Sequence, residues 1–423
     1  MSNKFQLQTR LVAMNFLQFA AWGAYLTSMG GYLFASGHPD IIGWFYSIQG
    51  IVSIFMPALM GIVADKWIRA ERLLGICHFL AGALMVAAGY YGLTAGDSMN
   101  AWTLFTLYSL SVAFYMPTLA LTNSVAFSAL TKAGLDTVKD FPPIRVFGTV
   151  GFICTMVAVD VLGFQHNAWQ FVVSGCVSLL LAFYAPTLPA CPTSEGQGSK
   201  SLVDALGLRA FSLFKQKHMA IFFIFSFLLG LQLQISNGFA NGYISSFAEI
   251  DAFKDTFGAQ HANMLISLSQ ISETLCILLI PFVLGRFGIK RVMMIAMAGW
   301  VLRFGLFGTG DPGPGVWMFI LSCIVYGVAF DFFNISGALY VDKNTNEELR
   351  SSAQGLFMLM TNGLGATFGS LAAQAVVDKF VNTQTDPLLR VEGWHTSWFI
   401  FAGYALVVLV LFTLIFREKR AAK

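Results

Sequence analysis

Long apolar stretches separated by short polar segments repeat along the whole chain. Because a helix needs about 20 apolar residues to cross a bilayer, each of these stretches is long enough to span a membrane. The pattern predicts twelve spanning helices. Their approximate bounds are 11–36, 41–64, 73–95, 101–130, 143–164, 168–190, 219–248, 260–285, 291–309, 316–341, 351–377 and 394–416.

The longest polar segment divides this series into two equal parts. It covers 191–218 and begins with the Pro-, Gly- and Ser-rich string CPTSEGQGSKS, which is typical of a linker. Its later part, Leu202–Lys217, has helical spacing and basic residues, which predicts an interfacial helix. The predicted architecture is an all-α membrane protein with a six-helix bundle at 1–190, a cytoplasmic linker at 191–218 and a second six-helix bundle at 219–423.

Composition supports a membrane protein, and the positions of the basic residues give its orientation. The chain is 56% hydrophobic and 11% charged, whereas soluble proteins carry about 25% charged residues. If the N-terminus is cytoplasmic, only Lys254, Lys379 and Arg390 fall in outer segments, and Arg145 and Arg303 fall within spans. Because basic residues favour cytoplasmic loops, both termini are expected in the cytoplasm.

Several function classes lack their motifs. The six histidines form no zinc-protease pattern, and no phosphate-binding P-loop occurs. Metal-dependent hydrolysis and ATP-driven pumping therefore have no support, no nucleophile–base set for an enzyme is present, and no cofactor or metal is expected.

The loop after the second predicted span contains a recognisable motif. Gly61, Asp65, Lys66 and Arg69 lie in GIVADKWIRAERLLG, and the loop after the eighth span, Pro281–Ile295, has a similar arrangement that lacks the acid. Two halves with corresponding loops are typical of transporters built by repetition. The motif resembles the loop motif of the major facilitator superfamily; the alternative is a charged loop that only helps to set the topology.

Two acidic residues lie deep inside predicted spans. Asp331 is the only charge between Val316 and Val341, and Glu273 has a similar depth in its span. A charge at the centre of a membrane helix costs roughly 2.5–3.5 kcal/mol by insertion scales, so such a residue is a functional candidate. The alternative is a structural ion pair of Asp331 with Arg303, which is otherwise interpreted as structural or interfacial.

Helical spacing groups further polar and aromatic residues onto shared faces. Aromatic rings beside amides and acids suit a flat, polar, neutral ligand, because rings stack and amides supply donors and acceptors. The alternatives are amides that join helices, aromatics that only pack, and an arginine that reaches the membrane surface. The groups are Arg145, Thr149 and Phe152; Gln234 and Asn237; Gln270 and Glu273; and Tyr326, Phe330 and Asn334.

Longer strings resemble the nucleoside:proton symporter family of the major facilitator superfamily. They are YMPTLALTNS, DFPPIRVFGTVGF, SQISET, VYGVAFDFFNISG and SAQGLFMLMTNG, and the resemblance extends over nearly the whole chain. The resemblance implies a bacterial inner-membrane importer of nucleosides with protons. It implies substrate contacts by Arg145, Thr149, Phe152, Gln234, Asn237, Gln270, Glu273, Tyr326 and Phe330, with Asp331 as the protonatable group.

The expected mechanism is alternating access around a site between the two bundles. Asp331 is the preferred proton carrier and Glu273 the acceptor of ribose hydroxyls, although these roles could be exchanged. The expected substrates are ribo- or deoxyribonucleosides, purine or pyrimidine, carried by a monomer in a lipid bilayer without nucleic acid. The alternatives are a sugar or nucleobase:proton symporter, an uncoupled nucleoside facilitator, and a membrane sensor or scaffold.

Overall fold

A computed structural model describes residues 2–191 and 208–417, and these residues are almost entirely helical. Eleven of the described helical segments are long and apolar enough to cross a membrane. They correspond to eleven of the twelve predicted spans, with ends that differ by a few residues. The eleven segments are Pro39–Ala64, Ala70–Ala95, Ala101–Lys132, Lys139–Val161, Trp169–Thr187, Lys217–Glu249, Ala262–Phe287, Ile289–Thr309, Val316–Lys343, Ser352–Phe380 and Pro387–Ile415.

The described chain forms two compact units. The first comprises the described residues of Met1–Ile41 and Ile51–Ala205, and the second those of Ile42–Gly50 and Leu206–Lys423. The first unit contains α1 (Ser2–Gly23), α2 (Met29–Ala35), most of α3 (Ile42–Lys66), α4 (Ala70–Ala95), α5 (Ala101–Lys132), α6 (Thr137–Val161) and α7 (Trp169–Tyr184).

The second unit contains the remaining helices. They are α8 (Lys217–Gly230), α9 (Ile235–Ser246), α10 (Phe257–Gln260), α11 (Ala262–Phe287), α12 (Ile289–Thr309), α13 (Val316–Lys343), α14 (Glu347–Met358), α15 (Ala366–Phe380) and α16 (Pro387–Ile415).

The first predicted span, 11–36, is two helices instead of one. The helix α1 begins nine residues earlier, at Ser2, and ends at Gly23; a turn at 24–28 then leads into α2. Close packing accompanies the break, because a Cβ atom on Gly23 would lie 2.3 Å from the carbonyl oxygen of Phe152 in α6. Two turns before Gly23 on α1, the carbonyl oxygen of Phe16 would lie 2.2 Å from a Cβ atom on Gly151. Glycines therefore let the backbones of α1 and α6 touch, as in other membrane helix pairs.

Many large apolar side chains remain exposed on the outer helix faces. Phe183, Leu278 and Leu414 are each about 70% exposed, at 70%, 74% and 68%. An apolar exterior of this kind would be unstable in water and is stabilised by lipid. The protein is therefore a multi-pass membrane protein.

Most of the predicted linker lies outside the described residues. Of the predicted interfacial helix at Leu202–Lys217, the described part contains a short 3-10 helix, Leu208–Lys215. The proposed domain bounds of 1–190, 191–218 and 219–423 therefore remain predictions.

Candidate functional site

Two interruptions of regular α-helix lie in the second unit beside predicted site residues. The span that starts at Lys217 is broken by a turn at 231–234, between α8 and α9, and Gln234 lies at the end of that turn. The segment Leu359–Gly365 is a π-helix between α14 and α15. Discontinuous helices often border substrate sites in transporters, and π-helical turns are frequent at functional sites.

The two interruptions are packed against each other. A Cβ atom on Gly365 would lie 2.6 Å from the Cα atom of Gly230, and one on Gly369 would lie 2.0 Å from the carbonyl oxygen of Leu231. Any larger residue would force these segments apart. Sequence spacing did not reveal either irregularity, because the apolar pattern runs through both.

The predicted pairs on α9 and α13 have the expected geometry. The amide nitrogen Nδ2 of Asn237 donates a hydrogen bond to Oε1 of Gln234 over 2.8 Å. The rings of Tyr326 and Phe330 are stacked, with centroids 5.5 Å apart and planes inclined by 17°. The second unit therefore provides an amide pair and a flat aromatic surface.

The two acids lie close together in the second unit. Asp331 is 5% exposed and interacts electrostatically with Glu273, and its Oδ2 atom has no hydrogen-bond partner among the described residues. Glu273 is half-buried on α11, and Gln270 is half-buried one turn before it. We call Glu273 and Asp331 the acid pair. Two neighbouring carboxylates in a poorly hydrated site repel each other when both are ionised, so a shared proton stabilises them.

The suggested ion pair between Asp331 and Arg303 does not form in the described part of the chain. Arg303 is 2% exposed, and its hydrogen bonds go to serine oxygen atoms instead of to a carboxylate. It is therefore buried within the second unit, which excludes the interfacial interpretation.

In the first unit, the predicted residues lie on α6 beside an aromatic cluster. The guanidinium carbon of Arg145 lies 3.9 Å above the ring centroid of Phe19. Phe152 makes an edge contact with Trp22, at 6.4 Å between centroids and 81° between planes. Thr149, one turn after Arg145, is half-buried. Sequence spacing grouped the α6 residues but missed Trp22, because Trp22 lies on another helix.

A buried hydrogen-bond network lies behind these aromatics in the first unit. Gln18 donates from Nε2 to Oγ1 of Thr118 over 2.7 Å, and its Oε1 atom is 2.8 Å from the hydroxyl of Thr122. The same Oε1 atom lies 2.7 Å from Nε2 of His78, whose Nδ1 atom lies 2.8 Å from the hydroxyl of Ser178. We call these five residues the Gln18 network.

The partners in the Gln18 network assign the histidine tautomer. Because Oε1 of Gln18 can only accept, Nε2 of His78 carries the hydrogen atom. Nδ1 faces the hydroxyl of Ser178, which also lies 3.1 Å from the carbonyl oxygen of His78 and can donate to either atom. Because the ring is buried among neutral partners, the neutral imidazole is favoured, with Nδ1 as an acceptor. No sequence pattern marks these residues as a group, because they come from four separate helices.

The loop motif is only partly described. Gly61 is the last glycine of α3, and a Cβ atom there would meet nothing within 4 Å. Lys66 ends α3 and is exposed, and Nε of Arg69 lies 3.3 Å from Oε1 of buried Glu71. The side chain of Asp65 lies outside the described residues. The conformational role predicted for the motif therefore remains a prediction.

Comparisons with known proteins assign the chain to a family. The model of the family "Nucleoside H+ symporter" matches residues 5–421. The chain is 45% identical to the nucleoside permease NupG of Escherichia coli (strain K12), over 98% of this chain and 96% of that protein. It is 47% identical to the xanthosine permease of the same organism, over 95% and 94% of the two chains.

Solved structures agree with these relatives. A crystal structure of the nucleoside transporter NupG superposes with a TM-score of 0.88, at 44% identity, covering 98% of this chain and 100% of that one. A D-xylose–proton symporter has a TM-score of 0.69 at 12% identity, covering 97% and 98%, which shows a shared transporter fold only. These matches support the predicted major facilitator fold and a transporter instead of an enzyme. The chain belongs to the nucleoside H+ symporter family.

Proposed function

We propose that this protein imports nucleosides together with protons. The observation that carries the proposal is the arrangement in the second unit, where both members of the acid pair interact electrostatically with Tyr326 of the stacked Tyr326–Phe330 surface, and the same unit contains the hydrogen-bonded amide pair. A proton-exchanging group and a ligand-recognition surface then belong to one structural unit. Family membership supports the same assignment.

Each predicted site residue has a role in the proposed complex. The stacked rings of Tyr326 and Phe330 contact the face of the nucleobase, because aromatic faces pack well on flat heterocycles. Gln234, Asn237 and Gln270 supply amide donors and acceptors to the base and the sugar. Glu273 accepts hydrogen bonds from ribose hydroxyls. On α6, Arg145, Thr149 and Phe152 contribute further substrate contacts.

The coupling step uses Asp331 as the proton carrier. Its partnerless Oδ2 atom can take a proton without breaking an existing hydrogen bond. Protonation removes the repulsion within the acid pair, and the neutral, loaded protein can then change the side to which the site opens. One charge that crosses 100 mV contributes about 2.3 kcal/mol, which corresponds to roughly 50-fold accumulation of substrate.

We further propose the membrane arrangement that the sequence predicts. The helices α1 and α2 together form a twelfth crossing, which follows from the apolar stretch 11–36. Twelve crossings and the basic residues of the inner segments give both termini a cytoplasmic location. The protein works as a monomer in a bacterial inner membrane.

The test is uptake by the purified protein in proteoliposomes. Labelled uridine is supplied at several external pH values, with unlabelled adenosine, thymidine, xanthosine, uracil and ribose as competitors. Symport predicts accumulation that requires an inward proton gradient and collapses with a protonophore. Competition by ribose or uracil alone would indicate a sugar or nucleobase symporter, and uptake that ignores the gradient would indicate an uncoupled facilitator.

A further inference from the structure

Arg303 is a buried cation whose partners are all neutral. Its Nε atom donates to Oγ of Ser236 over 3.2 Å, and Nη1 donates to Oγ of Ser269 over 3.4 Å and to the carbonyl oxygen of Ser322 over 2.9 Å. Among the described residues, Arg303 makes no ion pair. A buried charge without a counter-charge is costly, so this arrangement needs a reason other than charge compensation.

Arg303 also supports an aromatic ring of the proposed site. Its guanidinium carbon lies 4.5 Å from the ring centroid of Tyr326, which is the distance of a cation–π contact. The same ring stacks with Phe330. Arg303 thus orients the ring that, in the proposed function, contacts the nucleobase.

The three serines are close in sequence to predicted substrate residues on three different helices. Ser236 precedes Asn237 on α9, and Ser269 precedes Gln270 on α11. Ser322 lies one helical turn before Tyr326 on α13, and its hydroxyl donates back to the carbonyl oxygen of Arg303 over 2.9 Å. Consecutive Cα atoms are about 3.8 Å apart, so a bond to each serine fixes the backbone that carries the neighbouring substrate residue.

We propose that Arg303 is a positioning residue of the nucleoside site. It joins α9, α11 and α13 to its own helix, α12, and so sets the mutual positions of Asn237, Gln270 and Tyr326. The planar guanidinium, with donors in a fixed geometry, suits this task, whereas the point charge of a lysine does not. The inference depends on the proposed function, since it concerns the same site.

The test separates nucleoside affinity from folding. Arg303→Lys keeps the charge and loses the planar donor set, and we expect the KM for uridine to rise roughly tenfold, the size of effect that loss of one charged hydrogen bond produces. The maximal rate should fall less than the affinity. Arg286→Lys is the matched control, because Arg286 is an exposed arginine that also lies near an aromatic ring, that of Phe287.

Serine variants keep the proposal testable if Arg303→Lys does not fold. Ser236→Ala and Ser269→Ala each remove one acceptor from Arg303, and we expect a smaller rise in KM for uridine in a protein that still folds, with a melting temperature lowered by the loss of one buried hydrogen bond. Ser226→Ala is their control, because within the described part of the chain this buried serine bonds only to the carbonyl oxygen of Phe222 in its own helix. Equilibrium binding of uridine, measured alongside, should weaken in parallel with KM.

The outcomes are distinct. A raised KM and weakened binding in the serine variants, with control values in Ser226→Ala, would support the proposal. Wild-type KM and binding in both serine variants would overturn it, even if Arg303→Lys is unstable, and would leave the proposed function intact. A wild-type protein that transports no nucleoside would overturn the proposed function and this inference together.

Discussion

Each unit contains a buried polar cluster. The two clusters differ in charge and in whether their polar atoms all have hydrogen-bond partners. The Gln18 network of the first unit is neutral, and each of its side chains bonds to another member. The second unit contains the acid pair, with a partnerless carboxylate oxygen, and a buried arginine. A neutral network whose members are all hydrogen-bonded holds its helices rigidly. Buried carboxylates, by contrast, can gain or lose a proton and so change their charge. On this basis we propose that the first unit serves as a scaffold and the second unit as the coupling element.

The sharpest test of this contrast is Asp331→Asn, for which we expect the largest effect. The amide cannot exchange a proton, so uphill uptake of uridine should be abolished while exchange of internal for external uridine persists. The measurement compares gradient-driven accumulation with counterflow in the same proteoliposomes. Concentrative uptake at the wild-type level would refute Asp331 as the proton carrier, and would move that role to Glu273 or elsewhere.

The close packing of α1 against α6 in the first unit can be tested by a substitution at Gly151. A Cβ atom there would lie 2.2 Å from the carbonyl oxygen of Phe16, so Gly151→Ala should separate α1 from α6 and destabilise the protein by about 1–3 kcal/mol, the usual range for overpacking. Thermal unfolding in detergent measures the loss. Gly305→Ala is the control in the second unit, because nothing lies within 4 Å of a Cβ atom there; equal stability of the two variants would contradict the packing argument.

Gln18→Leu tests whether the neutral network is a scaffold. The change leaves the ring N–H of His78 and the hydroxyl of Thr122 without their acceptor, and one unsatisfied buried group costs about 1–3 kcal/mol. We expect a lower melting temperature and little change in the proton dependence of uptake by the folded fraction. A loss of proton coupling at normal stability would show that the first unit also takes part in coupling.

The smallest effect is expected at the aromatic surface. Tyr326→Leu removes the stacked ring and should weaken uridine binding roughly two- to tenfold, in line with the energy of aromatic pairs. Tyr326→Phe keeps the ring and its stack with Phe330, and should bind almost as the wild type does. Equal binding by both variants, measured by isothermal titration, would argue that Tyr326 only packs against its neighbours.

Most of the fold could be predicted from the hydrophobic pattern. An isolated apolar segment in lipid must satisfy its own backbone hydrogen bonds, and a helix is the structure that does so. Eleven predicted spans have matching helices. The helix breaks at 24–28 and 231–234 did not follow, since neither segment contains a proline or a glycine, the residues that usually interrupt a helix. These breaks depend on neighbours distant in sequence, such as Phe152 for Gly23 and Gly369 for Leu231.

The sequence by itself determined the number and order of most helices, the depth of Asp331 and Glu273, and the helical faces on which the candidate ligand groups lie. These properties depend on local hydropathy and on the fixed geometry of one helix. Only the tertiary structure decided that Arg303 bonds to three serines instead of to Asp331, and that Nε2 of His78 donates to Gln18. The physical reason is that a buried hydrogen bond depends on which helices are neighbours, and spacing along a single helix carries no information about its neighbours.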